Sequence, residues 1–522
     1  GPVVKSIPYV VQPKEIIPGI ANFYATTIAN GFDFANILIK NREGRPIKVE
    51  KNSLADDSMS ANARVHASVL DLYDNTRLAQ PMKDNLPISW FTFEYETLSE
   101  LQRLSKEKKE IVLLTQTFAS PSTKNLIEKF KDKFKSASHI TYDSISESEA
   151  LDAFEQRYGI RGLSNYDFSN TKLILSIGAD FLGDWQGGGF DCSYTKGRIP
   201  DDGKMSRHIQ FESNMTLSGA NADLRVPLKI NEQKLVLIEI YKSLFGGNKF
   251  KLESNLQLNE KLKKIVDKTI KELKFAKSGA VVITGIQEQD YQLIALEINE
   301  KIKSIAFKPN ETILTRSSKN KAFDDMINRM NEGKVGAVIT AGINPVYSLA
   351  DSKSFTKAFK NLELSICFSQ KNDETASQSQ YVAASNHYLE SWCDYEFKSG
   401  EYSLAQPVIK TLFNTKQFQD LLLVWAGSKS SYHDFIKANW KKNILEKESW
   451  NKSLHDGVFI KKSKNISKGN FISQNRISSK NLKYFQIIQD SNPNKLELNL
   501  YPKTGMGDGQ QANNPWLQEF PD

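Results

Sequence analysis

One pattern recurs through the middle of this chain and restricts its fold more than any other feature. A short, nearly continuous apolar run meets a glycine or a small polar turn, and a segment with helical spacing follows. The runs are Ile111-Val112-Leu113-Leu114, Lys172-Leu173-Ile174-Leu175-Ser176-Ile177-Gly178, Ala280-Val281-Val282-Ile283-Thr284-Gly285, Gly336-Ala337-Val338-Ile339-Thr340-Ala341-Gly342 and Leu421-Leu422-Leu423-Val424-Trp425-Ala426-Gly427. Strands that are apolar on both faces, end in glycine and feed helices are what a parallel sheet covered on both sides requires. After the first run, Leu126, Ile127, Phe130 and Phe134 recur at helical positions. The middle of the chain is therefore expected to be α/β, with doubly wound parallel-sheet units.

With 522 residues, the chain exceeds one core at roughly 150 residues per domain. The expected division has four parts. Residues 1–108 form an irregular, β-rich N-terminal domain, 109–330 a first α/β domain and 331–445 a second. Residues 446–522 hold a lysine-rich insertion and the start of a C-terminal β-rich domain. In the first part, Ile37-Leu38-Ile39-Lys40 and Ile47-Lys48-Val49 flank the turn Asn41 to Pro46 as a hairpin. A helix is expected from Ala63 to Tyr73, with Val65, Val69, Leu70 and Tyr73 on one face. Lysine, asparagine and serine from Lys461 to Lys483 read as a surface insertion, and Leu496-Glu497-Leu498-Asn499-Leu500-Tyr501 reads as an alternating strand.

Composition narrows the chemistry. No apolar run approaches the ~18 residues that span a bilayer, and the start does not read as a signal peptide. A net charge of +8 from 69 basic and 61 acidic residues is mild and dispersed, without the concentrated stripe and interleaved aromatics of a nucleic-acid binder. Lys261, Lys263, Lys264, Lys268, Lys271 and Lys274 share their segment with Leu262, Ile265, Val266, Ile270 and Leu273. That spacing makes an amphipathic helix with a solvated lysine face; a basic docking face for an acidic partner is the other reading. The three cysteines, Cys192, Cys367 and Cys393, are far apart and form no CxxC, which argues against a cysteine-ligated zinc or iron–sulfur site here. Nothing near Cys192 signals a lowered thiol pKa. His208 and His387 lack paired metal-ligand spacing and read as structural histidines. Gly187-Gly188-Gly189 has no following Lys-Ser or Lys-Thr and is not a P-loop. Trp185, Trp392 and Trp516 are either interface anchors or core residues.

Several segments in order carry a resemblance. They are Ile7 to Val10, Pro18 to Ala25, Arg42 to Lys48, Ala67 to Asp74, Gly178 to Trp185, Ser206 to Glu212 and Leu217 to Asp223. Gly342 to Ser348, Asp373 to Ala376, His387 to Trp392 and Gly507 to Glu519 follow. Together they resemble the molybdopterin oxidoreductase superfamily, specifically the N-terminal, molybdopterin-like half of the large subunit of bacterial alternative complex III. The resemblance implies a molybdopterin oxidoreductase (DMSO reductase-like) α/β fold without cofactor. It also implies a structural role in a respiratory quinol:electron-acceptor oxidoreductase on the periplasmic face of the inner membrane. Iron–sulfur clusters and haem c would then lie in an adjoining half or in partner subunits. The implied partners are an iron–sulfur domain, multihaem cytochrome c subunits and integral membrane quinol-binding subunits, with no nucleic acid and no direct membrane span. Gly1-Pro2-Val3-Val4-Lys5 reads as a mature end after a processed leader, and the parent polypeptide is expected to continue beyond Asp522.

Active members of that superfamily hold a four-iron cluster on N-terminal cysteines, but the matching stretch Tyr24 to Gly31 contains no thiol. The region of their molybdenum ligand corresponds to Tyr142 to Glu147. There Asp143 or Ser144 could ligate a metal, making the chain an active molybdopterin enzyme, or Asp143, Ser144 or Ser146 could cap a helix. Gly178, Asp180, Gly342 and Asn344 occupy the turns that hold pterin dinucleotide phosphates in relatives. Asp180 brings the wrong charge, Phe181 and Trp185 are bulky enough to fill the cleft, and Lys229-Ile230-Asn231-Glu232 stands where a proline-glycine-threonine turn is usual. The expected site is vestigial.

Overall fold

The computed structural model describes residues 17, 19–200, 203–246, 250–253, 257–461, 484–487 and 496–521. The expected leader-proximal segment 1–16 and most of the lysine-rich insertion (462–483) lie outside the described residues.

The chain opens with a three-stranded antiparallel sheet of Asn22–Asn30, Asp33–Arg42 and Arg45–Lys51. The hairpin forms where expected, but its turn is only Glu43 and Gly44, both with positive φ (51° and 79°). Two such residues match the strand twist, so both strands extend beyond the expected turn. The next helix is shorter than expected: Asn62 caps Ala63–Ala67, and the chain then tightens into a 3-10 turn over Ser68–Tyr73. That change of pitch buries Val65, Val69 and Leu72, while Tyr73 faces out.

Two parallel sheets follow. The larger has seven strands in the order Leu86–Pro87, Met82–Lys83, Tyr381–Ala384, Leu364–Ser369, Val335–Ala341, Glu110–Thr115 and Ala137–Thr141. Its last five are parallel, and the 82–87 hairpin closes one edge antiparallel. The smaller sheet has four parallel strands, Leu224–Pro227, Arg207–Glu212, Leu173–Ile177 and Ala280–Thr284. Four of the five apolar runs are therefore strands. The domain boundary expected at residue 330 cuts through the larger sheet, whose strands come from both sides of it.

The fifth run is a helix, Phe418–Trp425. A leucine-rich run has no period to separate a buried strand from a buried helix, and leucine favours helix where β-branched residues would not. Trp425 packs against Phe130 and Phe368 (6.2 and 6.0 Å between ring centroids) and donates to the Thr97 hydroxyl at 3.2 Å. Another helix, Trp90–Lys106, lies in the part expected to be irregular. Ser89 caps it, and Trp90, Phe93, Thr97, Leu101 and Leu104 are buried along one face.

A five-stranded antiparallel sheet of Val458–Ile460, Glu401–Ala405, Cys393–Lys398, Phe307–Ile313 and Leu163–Tyr166 was not foreseen, because its strands come from four distant segments. It packs on the N-terminal sheet and on the helix Pro121–Lys133. Leu496 to Tyr501 is not a strand: Leu496, Leu498 and Leu500 are exposed and the segment joins no sheet. Alternation alone makes no strand without an edge to pair with. No helix among the described residues is long and apolar enough to cross a membrane.

Candidate functional site

Both parallel sheets reverse their winding at one point. From Leu173–Ile177 the chain adds Arg207–Glu212 on one side and later Ala280–Thr284 on the other. From Glu110–Thr115 it adds Ala137–Thr141 on one side and later Val335–Ala341 on the other. Open α/β sheets bind ligands at the carboxyl ends of strands flanking such a reversal, which gives two candidate sites.

The first is closed by protein. A Cβ on Gly285 would stand 2.0 Å from the Gly178 carbonyl oxygen, so the two turns touch backbone to backbone. The Trp185 indole donates to the Thr284 carbonyl at 3.0 Å. Phe181 is buried among Phe168, Tyr194 and His208. Asp180 accepts from the Ser218 backbone N–H and hydroxyl at 3.0 and 2.8 Å, which commits it to the helix at Leu217–Ala220. Lys229 to Glu232 begin the helix Ile230–Phe245, with the Glu232 carboxylate accepting from the Lys229 N–H at 2.9 Å.

The second reversal opens on a cleft of about 600 Å³. Its walls come from the N-terminal sheet (Ala29, Asn30), the turns after the parallel strands (Gln116, Gly342, Asn344, Lys371 to Glu374) and a C-terminal loop (Gly509, Gln510). Gly342 has φ +71°, and a Cβ there would meet the Gln116 side chain at 2.6 Å. The Gln116 amide bridges the sheets, donating to the Ala29 carbonyl at 3.3 Å and accepting from the Gly31 N–H. The Gln510 amide donates to the Gly342 carbonyl at 3.3 Å. Asn344 is held on the opposite wall, donating to Glu374 at 2.7 Å and accepting from the Thr375 N–H and hydroxyl. Among the described residues, Lys371 is the only cation in the lining, and it pairs with Asp74 at 2.6 Å.

Next to the C-terminal loop of the cleft lies a buried network of ion pairs and hydrogen bonds. Arg64 binds Asp33 and Asp184, each at 2.8 Å, and also the Thr504 carbonyl. Arg316 donates to the Phe32 carbonyl at 2.7 Å and lies over the rings of Phe32 and Phe34. Asp143 accepts from the Thr117 N–H and hydroxyl and from the Ser317 and Ser318 N–H groups at 2.9–3.2 Å. The cap expected of Asp143 is therefore not made; it clamps two loops. Ser146 accepts from the Ser148 N–H at 3.0 Å at the start of the helix Ser148–Tyr158, and Ser144 donates to Asp508 at 3.4 Å.

Among residues the sequence did not single out, Gln116, Arg64, Arg316, Asp508 and Gln510 do most to bring these elements together. Asp508 and Gln510 were visible only as parts of a matching segment. Burial, with Asp33 nearby, raises Asp508 to about 6. The folded state therefore binds this proton more tightly than the unfolded chain, whose aspartates titrate near ~4. Ionised Asp508 costs stability above pH ~6, and the cost disappears as pH falls through ~4. Asp508→Asn is expected to raise the unfolding free energy by about 1–2 kcal/mol at pH 7.5 and to leave it unchanged at pH 4, as read from urea midpoints. An equal effect at both pH values would contradict this.

His208 lies between the Tyr194 hydroxyl (3.2 Å) and Gln210 (3.0 Å), and burial lowers it to about 4. His387 is buried, lowered to about 3, and accepts from the Leu389 N–H. Both are neutral structural groups. Burial raises Cys192, Cys367 and Cys393, the last to about 11. Trp185 is a core residue, Trp392 packs on His433 in the cleft wall, and Trp516 is exposed.

No protein-family model matches the chain. It is 32% identical over 112 residues to the molybdopterin-binding-like subunit of menaquinone reductase from Nitratidesulfovibrio vulgaris, covering 20% of this chain and 16% of that one. Over 256 residues it is 25% identical to the molybdopterin-containing subunit of arsenate respiratory reductase from Shewanella sp., covering 46% of this chain and 29% of the other. The chain is related to the molybdopterin oxidoreductases. Its fold agrees with that relationship: it superposes on acetylene hydratase from Pelobacter acetylenicus with a TM-score of 0.59 at 13% identity, covering 84% of this chain and 74% of the other. The matches to the two curated molybdopterin oxidoreductase relatives span less than a third of their length.

Proposed function

We propose that this chain is a non-catalytic scaffold within a respiratory quinol-oxidising complex of the alternative complex III type. In this reading it has kept the architecture of a molybdopterin enzyme and uses it to position iron–sulfur and haem c carriers in neighbouring chains or domains on the periplasmic face of the membrane. The observation that carries the reading is the lining of the cleft at the second reversal. A pterin dinucleotide brings a pyrophosphate, which needs free cations or open backbone N–H groups at a helix start. Here Lys371 is paired with Asp74, and Asp71, Asp373 and Glu374 add carboxylates to the wall. Asn344, at the turn where a phosphate would rest, already binds Glu374 and Thr375. These residues do not fit the dinucleotide.

The candidate metal ligands point the same way. Asp143 makes four hydrogen bonds to protein groups, and Ser144 faces the Asp508 carboxylate. Freeing either for a metal would dismantle the contacts between the loops. The relative from Nitratidesulfovibrio is itself described as molybdopterin-binding-like and as part of a menaquinone reductase, which supports a place in quinone-linked respiration.

The test is elemental analysis with oxidative pterin release on protein purified from its natural membrane. The expected result is no molybdenum or tungsten above blank, no fluorescent pterin, and copurification with haem c and cluster-bearing chains. Stoichiometric metal together with pterin would overturn the reading.

A further inference from the structure

The helix Glu260–Ala276 forms as the sequence pattern requires, with Asn259 as its cap. Leu262, Val266, Thr269 and Leu273 are buried, which fixes its inner face. The outward side carries Lys261, Lys264, Lys268, Lys271 and Phe275, separated by three, four, three and four residues and all exposed, with exposed Glu260 and Asp267 beside them. At 1.5 Å per residue they make a straight stripe about 21 Å long. None of these four lysines, nor Lys263 or Lys274 on the flank, forms an ion pair among the described residues. Several other charged helix faces are internally paired, as in Arg103 with Glu100 and Glu107, or Lys131 with Glu128. Glu272 pairs with Arg207, outside the helix. Phe275, at the end of the stripe, is 90% exposed.

A lysine face that serves only solubility needs no regular stripe and no fully exposed phenylalanine. Four unpaired ammonium groups in line with one aromatic ring suit a flat surface that is anionic outside and apolar just beneath. Lysines there meet headgroup phosphates and the ring enters the interfacial layer. We propose that this helix face docks on an anionic lipid bilayer. The charge complementarity is local, because the net charge of the whole chain is a mild +8. The contact is peripheral: the apolar side of the helix is already packed on the protein, so only the lysines and Phe275 reach the lipid.

Cosedimentation of the full chain with phosphatidylcholine vesicles, with and without 30% phosphatidylglycerol, tests the proposal. We expect binding only to the phosphatidylglycerol vesicles at 50 mM NaCl, and its loss at 500 mM. Lys264→Glu/Lys268→Glu/Lys271→Glu should weaken binding at least tenfold, and Phe275→Ser severalfold, with unchanged melting temperatures because all four positions are exposed. Soluble polyglutamate is the competing probe. Polyglutamate binding that needs the lysines but not Phe275, without vesicle binding, would assign the face to an acidic polypeptide and overturn the bilayer. Absence of vesicle binding, or vesicle binding indifferent to the triple variant, would overturn it as well.

Discussion

Replacing Arg64 with methionine is expected to destabilise the protein by about 3–5 kcal/mol, the usual cost of removing one member of a buried ion pair. Arg64 and Asp33 are almost entirely enclosed, with 4% and 6% of their side chains exposed, and Asp184 shares the same guanidinium. Without Arg64, the buried Asp33 carboxylate loses its cation, and the partly exposed Asp184 loses the same partner. The effect should also be local, because Arg64 binds the Thr504 carbonyl and so anchors the C-terminal loop that reaches the cleft. Hydrogen exchange should therefore accelerate over 503–514 before the rest of the chain responds. Adding Asp33→Asn to Arg64→Met should recover part of the loss, since one unpaired charge is removed. A single-variant shift below about 1 kcal/mol in urea unfolding would mean that water reaches the network.

Trp425→Ala is expected to cost about 3–5 kcal/mol through the cavity it leaves. Trp425 is fully buried between Phe130 and Phe368, and its indole N–H meets the Thr97 hydroxyl. Because its helix packs beside the helices Pro121–Lys133 and Trp90–Lys106 and, through Phe368, on the larger sheet, the loss should appear in the global urea midpoint. Trp425→Phe should recover most of the apolar contact and lose only the hydrogen bond, about 1 kcal/mol. Equal losses for Phe and Ala would show that the indole N–H, and not the filled volume, matters most here.

The two reversal points show how far a sequence reaches into a site. Gly178 and Gly342 were legible because a glycine closing an apolar run reports a local requirement, a turn with positive φ after a parallel strand. That one turn is closed and the other open was not legible. Closure depends on Gly285 meeting Gly178, and opening on walls brought from Ala29, Lys371 and Gln510. Asp143 drew attention for its type and place, yet its role as a clamp on 117 and 317–318 depends on partners far away in the chain. Gln116 carried no signal, since a lone glutamine is common on any surface, and Gln510 entered only as one residue of the segment Gly507 to Glu519.

By itself the sequence determined the class of fold, four of the five apolar strands, the N-terminal hairpin and the lysine-bearing helix. Each follows from short-range periodicity, which burial of one face enforces residue by residue. Only the tertiary structure decided that 421–427 is helical, that an antiparallel sheet assembles from four separated segments, and that the larger sheet draws strands from both sides of residue 330. Those outcomes depend on which distant surfaces bury one another, and the free energy of that choice is spread over contacts that no local pattern records.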